Sequence, residues 1–141
     1  MFKDRFKATF TSLWSIGCLT LCLGCGDSDA PRRYKLTGMV TFGGQPIPVG
    51  EIRFSPDSQK GNEGPATLAK IEKGRFSTPP ERGTLGGPMI VKIVGFDGIP
   101  FKDGDEMNES GLPLFKPYYV EVELPRESAE QDFDVPKPKR K

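Results

Sequence analysis

Apolar and polar side chains alternate along most of the chain after residue 33. Tyr34, Leu36, Val40 and Phe42 fall on one side of residues 34–42, and Lys35, Thr37 and Thr41 on the other. A period of two marks a strand half-buried against a core. Gly43, Gly44 and Pro46 interrupt the pattern as turn residues do, and residues 51–54 resume it until Pro56. Residues 56–65 are polar and rich in Gly, Asn and Ser, the composition of a mobile loop. Residues 67–71 and 75–77 are two arms around Lys73 and Gly74, which predicts a hairpin closed by a tight turn. Residues 89–96 are the most apolar stretch of the body and predict a central strand covered on both faces, or nearly so. Residues 118–124 alternate cleanly up to Pro125, and residues 132–135 form a last short strand. About seven strands separated by turn signals, with no helical period, predict an all-β sandwich. The expected core is Leu36, Val40, Phe42, Ile52, Phe54, Ile71, Phe76, Val91, Ile93, Val120, Val122, Leu124, Phe133 and Val135.

The first residues follow a different rule. Lys3, Arg5 and Lys7 precede an uncharged, largely apolar run from residue 8 to residue 24. A basic start followed by a short apolar stretch is the pattern of a secretory signal, expected to be helical. The run is marginal for a spanning helix, which needs about 20 predominantly apolar residues. Leu23, Gly24 and Cys25 resemble the end of a bacterial lipobox, where a small residue precedes the cysteine that receives lipid. Cys22 stands where that motif has leucine. The resemblance implies cleavage before Cys25 and acyl chains on it, so that the chain partitions as a signal peptide (1–24), a polar tether (25–33), a folded domain (34–136) and a basic, disordered tail (137–141). It also implies export and attachment by lipid to a cell envelope. Gly26 after the cysteine favours an outer membrane, with the domain facing the periplasm or the surface.

Composition narrows the chemistry. Gly (17) and Pro (14) are abundant, as short strands and many turns require. With 20 Lys and Arg against 19 Asp and Glu, the charge is near neutral, and no general electrostatic attraction to nucleic acid is expected. The chain has no histidine, which removes the commonest general base and zinc ligand and rules out His-dependent triads. All three cysteines, Cys18, Cys22 and Cys25, precede the body, so the folded domain has no disulfide.

Residues 38–54 (GMVTFGGQPIPVGEIRF), 74–80 (GRFSTPP) and 87–93 (GPMIVKI) resemble the carboxypeptidase regulatory-like domains, a transthyretin-like family. Residues 114–118 (LFKPY), 122–125 (VELP) and 133–136 (FDVP) resemble short lipoproteins of planctomycete-type bacteria. The resemblance spans residues 34–136. It implies a single transthyretin-like (prealbumin-like) β-sandwich of about seven strands. Turn chemistry of this kind specifies a fold and says little about function. Members serve as accessory modules on enzymes and as adhesive repeats. The hydrolases of this fold use histidines, so their activity does not carry over to this chain.

Residues 97–115 read as a long loop. Asp103, Asp105 and Asn108 are candidate Ca²⁺ ligands in it, although Met107 stands where the EF-hand pattern needs an oxygen. A solvated acidic loop is the plainer account. Phe101, Phe115, Tyr118 and Tyr119 flank the segment and are candidates for stacking on a sugar; aromatics of this kind also pin loops to sheets. Glu121 and Glu123 share a strand face and are expected to point to water. No cofactor and no enzymatic activity are expected. The expectation is a lipid-anchored envelope protein with a structural or protein-binding module, whose partners are the membrane, through its lipid, and an envelope protein or glycan. The alternative is a carbohydrate- or Ca²⁺-binding surface module using residues 97–115.

Overall fold

A computed structural model describes residues 30–139. The signal segment, Cys25, most of the tether and the last two residues lie outside the described residues. The described chain is all-β, a sheet curled over its own core into a sandwich. Its strands are β1 (Leu36–Phe42), β2 (Gln45–Pro46), β3 (Val49–Pro56), β4 (Thr67–Glu72), β5 (Arg75–Ser77), β6 (Gly87–Phe96), β7 (Phe101–Asp103), β8 (Glu106–Asn108), β9 (Tyr118–Leu124), β10 (Ala129–Glu130) and β11 (Phe133–Val135). The main sheet runs in the order β10-β1-β5-β4-β3-β6-β9, and β2 and β11 also pair with β1. No helix of the described residues is long and apolar enough to cross a membrane.

Strand β1 is the seam of the sandwich. Its first half lies between β5 and the parallel β10, and its second half between β2 and the parallel β11. The ladder breaks between β10 and β11. There the Asp132 carboxylate accepts the Met39 N–H at 2.7 Å, and the Gln131 N–H donates to the Thr37 carbonyl at 2.8 Å. Gly38 sits opposite this break. A Cβ on it would lie 2.0 Å from the Gln131 carbonyl oxygen, so the third side chain of the inward row has to be absent. Two hairpins close on paired residues of positive φ: Gly43 and Gly44 (56° and 81°) between β1 and β2, and Lys73 and Gly74 (50° and 77°) between β4 and β5. Positive φ at both central positions matches the right-handed twist of the flanking strands.

The core follows the inward positions of each strand. Phe54, Phe76 and Phe133, from β3, β5 and β11, meet with ring centroids 5.7–6.1 Å apart. Eleven of the expected core positions are buried, but Phe42, Val120 and Val122 are only half-buried, and Ile47, Ala69 and Met89 complete the interior. Val120 and Val122 lie on β9, the last strand of the sheet, which among the described residues has no neighbouring strand on one side. Phe42 ends β1 and packs on Phe115 at 4.9 Å.

Three further expectations change. Strand β6 is paired on both edges but covered on one face only; Ile90, Lys92 and Val94 face outward and are partly exposed. Residues 56–65 are fastened rather than loose. The Asn62 side-chain amide donates to the Gly86 and Pro88 carbonyls at 2.9 and 2.7 Å, and a short 3-10 helix (Ser58–Lys60) is capped by Asp57. The segment 97–115 contains the β7–β8 hairpin and is closed at its neck by Asp97, whose carboxylate accepts the N–H groups of Ile99 and Leu112.

The Asp134 carboxylate accepts the Thr41 hydroxyl and the Gly44 N–H and so ties β11 to the β1–β2 turn. The Thr41 hydrogen bond first, and the Gly44 one second, hold its pKa below the usual aspartate value. A carboxyl lowered by folding stabilises the fold fully above its unfolded pKa of about 3.9, and that contribution is lost as pH falls through the lower folded value. The stability difference between the wild type and Asp134→Asn is therefore expected to be largest near neutral pH. It should shrink as thermal melts are taken down through the carboxylate range. A difference that stays constant with pH would show that the charge is not involved.

Candidate functional site

The residues singled out in the sequence do not converge. Asp103, Asp105 and Asn108 are exposed on the β7–β8 hairpin. Asp103 pairs with Glu106 across the turn, and the Asn108 side chain accepts the Ser110 N–H at 3.0 Å. Among the described residues, no cluster of three or more Cys, Asp or Glu side chains is placed to hold a metal ion. Of the aromatics, Phe115 and Tyr118 pack against the core, and Phe101 is half-buried on the hairpin opposite Asn108. Tyr119, the next residue after Tyr118, points to the other face of β9, where it is 59% exposed and Lys92 Nζ lies 6.0 Å from its ring centre. The aromatics therefore do not share one surface, since consecutive strand residues face opposite sides.

Phe115 instead fastens the segment to the sheet. Gly50 and Gly95 pair across β3 and β6. A Cβ on Gly95 would lie 2.9 Å from both Ile47 and the Phe115 ring. The missing side chain is the gap that seats the ring. Lys137, the first residue of the expected tail, lies over the Phe42 ring at 5.7 Å.

Glu121 and Glu123 point outward as expected. Glu121 is bound by Lys60 Nζ at 2.6 Å, a contact the sequence does not reveal because it joins positions far apart in the chain. The Glu121 carboxylate, by its hydrogen bond first and its charge second, holds the Lys60 ammonium above the usual lysine range.

The concave surface of the protein lies elsewhere, on the outward side of β3, β4, β5 and β1. The curl of the sheet makes an open groove of about 900 Å³ there. Its floor is set by register. Glu51 on β3 stands opposite Lys70 on β4, Glu72 opposite Arg75 on β5, and Thr37 on β1 opposite Glu130 on β10. Opposite charges placed across neighbouring strands support pairing weakly, and among the described residues neither Glu51–Lys70 nor Glu72–Arg75 closes to a salt bridge. Leu68, 51% exposed, adds an apolar wall. A second hollow of about 440 Å³ shares Glu51, Lys70 and Glu72 and extends toward Phe96 and Ser110 at the neck of the β7–β8 segment. Glu51, Lys70 and Arg75 read in the sequence as ordinary strand positions, and only the order of the strands gathers them with Glu72 and Glu130. Compared with known proteins, the chain matches no family model and no curated protein sequence.

Proposed function

We propose that this chain is a lipid-anchored protein of a bacterial cell envelope, whose carboxypeptidase regulatory-like sandwich is a non-enzymatic module that binds another protein. The observation that supports the binding reading best is the outer groove. It is long, open and floored by alternating carboxylates and cations with an exposed leucine at its side. A surface of that kind offers charge pairing and apolar contact along a length rather than the closed, mostly apolar cavity typical of small-molecule sites. Anchoring rests on the basic start, the apolar run and Cys25.

Two measurements test the two halves. Expressed in a Gram-negative host, the wild type is expected to begin at Cys25, to carry added acyl mass and to enter the detergent phase; Cys25→Ala should do none of these. Cleavage without added mass in both would refute the anchor. For binding, a photo-crosslinking residue in place of Leu68 is expected to give one discrete protein adduct in the intact envelope, lost on Lys70→Glu with Arg75→Glu. No adduct, or one that ignores the charge reversal, would refute the groove.

A further inference from the structure

The sheet ends at β9. On one side this strand pairs with β6 in an unbroken register from Ile93 opposite Tyr118 to Gly87 opposite Leu124. On the other side it pairs with no strand among the described residues. Proteins commonly blunt such edges with a bulge, an internal proline, charged side chains (above all lysine) or a covering element. Strand β9 has neither of the first two, since its register is continuous and its prolines stand outside it at 117 and 125; its charges are two outward glutamates, and it has no lysine. Its inward side chains show what an absent neighbour costs. Tyr118, Val120 and Val122 pack against the core but remain half-exposed, although Leu124 at the end of the strand is buried, whereas the inward positions Met89, Val91 and Ile93 of the adjacent β6 are sealed. Its outward side chains are Tyr119, Glu121 and Glu123, so the edge is apolar on one face and acidic on the other.

We propose that the open edge of β9 is a docking site for an extended segment of a partner protein, alternately apolar and basic, which adds to the sheet as one more strand. Main-chain hydrogen bonds would supply the pairing, and alternate side chains the selectivity. Apolar residues of the segment would cover Val120 and Val122. A lysine or arginine between them would face Glu123, since opposite charges across neighbouring strands favour pairing and like charges oppose it; Glu121 is already held by Lys60 at 2.6 Å. The same rule disfavours a second copy of this chain as occupant. The two-fold antiparallel register that pairs all of β9 with itself brings two Glu121–Lys60 pairs together and sets Glu123 against Tyr119, so it offers Glu123 no cation. The site lies at a different edge of the sheet from the outer groove and does not depend on it.

The test is hydrogen exchange on the full chain in zwitterionic detergent, with two synthetic probe peptides, one alternating valine and lysine and one alternating valine and glutamate. The lysine peptide is expected to slow exchange across residues 118–124 on the order of tenfold, as new hydrogen bonds close the edge. The glutamate peptide should have no such effect, and Glu123→Lys, an exposed substitution, should weaken the response to the lysine peptide. Equal protection by both peptides would overturn the charge assignment. Protection of β4 and β5 without β9, or none anywhere, would overturn the site. Self-association of the full chain that itself protects residues 118–124 would overturn the choice of partner.

Discussion

Phe54→Ala is expected to remove about 3–5 kcal/mol of unfolding free energy, the range for deleting a buried aromatic side chain. Phe54 is fully buried in the middle of β3, whose neighbours are β4 and β6. Its ring lies 5.7 Å from that of Phe76 and 6.1 Å from that of Phe133. Those rings come from β5 and β11, so one side chain joins elements widely separated in the chain. The hole left by alanine would be lined by strand backbones that cannot close on it without breaking ladder hydrogen bonds, which is why the cost should exceed simple transfer. Against a typical total of about 5–15 kcal/mol, the loss would leave a marginal fold. Denaturant unfolding checks it, and a loss under about 1 kcal/mol would mean that the three rings do not form the centre of the core.

Gly38→Ala should cost about 3 kcal/mol, near the top of the usual range for overpacking. The reason is space rather than backbone freedom. Gly38 has no positive φ, and the added methyl would stand 2.0 Å from the Gln131 carbonyl oxygen and 3.0 Å from the Phe76 ring. The contact at 2.0 Å is with backbone, so a rotamer change cannot relieve it. To admit the methyl, the 131–132 step must move off β1, and the Gln131–Thr37 and Met39–Asp132 hydrogen bonds go with it. Gly44→Ala is the control. Gly44 has φ +81° and nothing within 4 Å of the added carbon, so only left-handed strain of about 1–2 kcal/mol applies. If Gly44→Ala were the more damaging of the two in parallel thermal melts, the seam would not be as tight as described.

How much of this was legible beforehand depended on length and on edges. Strands β1, β3, β4, β5, β9 and β11 announce themselves by alternation between turn residues, and β6 by its apolar run. The inward face of β3 could be read from that alternation alone, and so could the Lys73–Gly74 turn, whereas the unbroken apolar run of β6 hid which of its faces is inward. Strands β2, β7, β8 and β10 could not, because two or three residues are too short to show a period and owe their conformation to the strand beside them. The need for glycine at position 38 could not be read, because the Gln131 carbonyl that crowds it comes from a distant part of the chain.

The sequence alone determined that this is an all-β chain with a histidine-free, disulfide-free body, because residue type and period are local properties. Tertiary structure decided which strands are neighbours, and the groove and the open edge followed from that order. It left Val120 and Val122 at an open edge and separated Tyr118 from Tyr119. It also drew Glu51, Lys70, Glu72 and Arg75 onto the floor of one groove. A strand's alternation specifies which side chains face the core, but a groove or a free edge belongs to the sheet, and strand order is set by contacts between residues far apart in the chain.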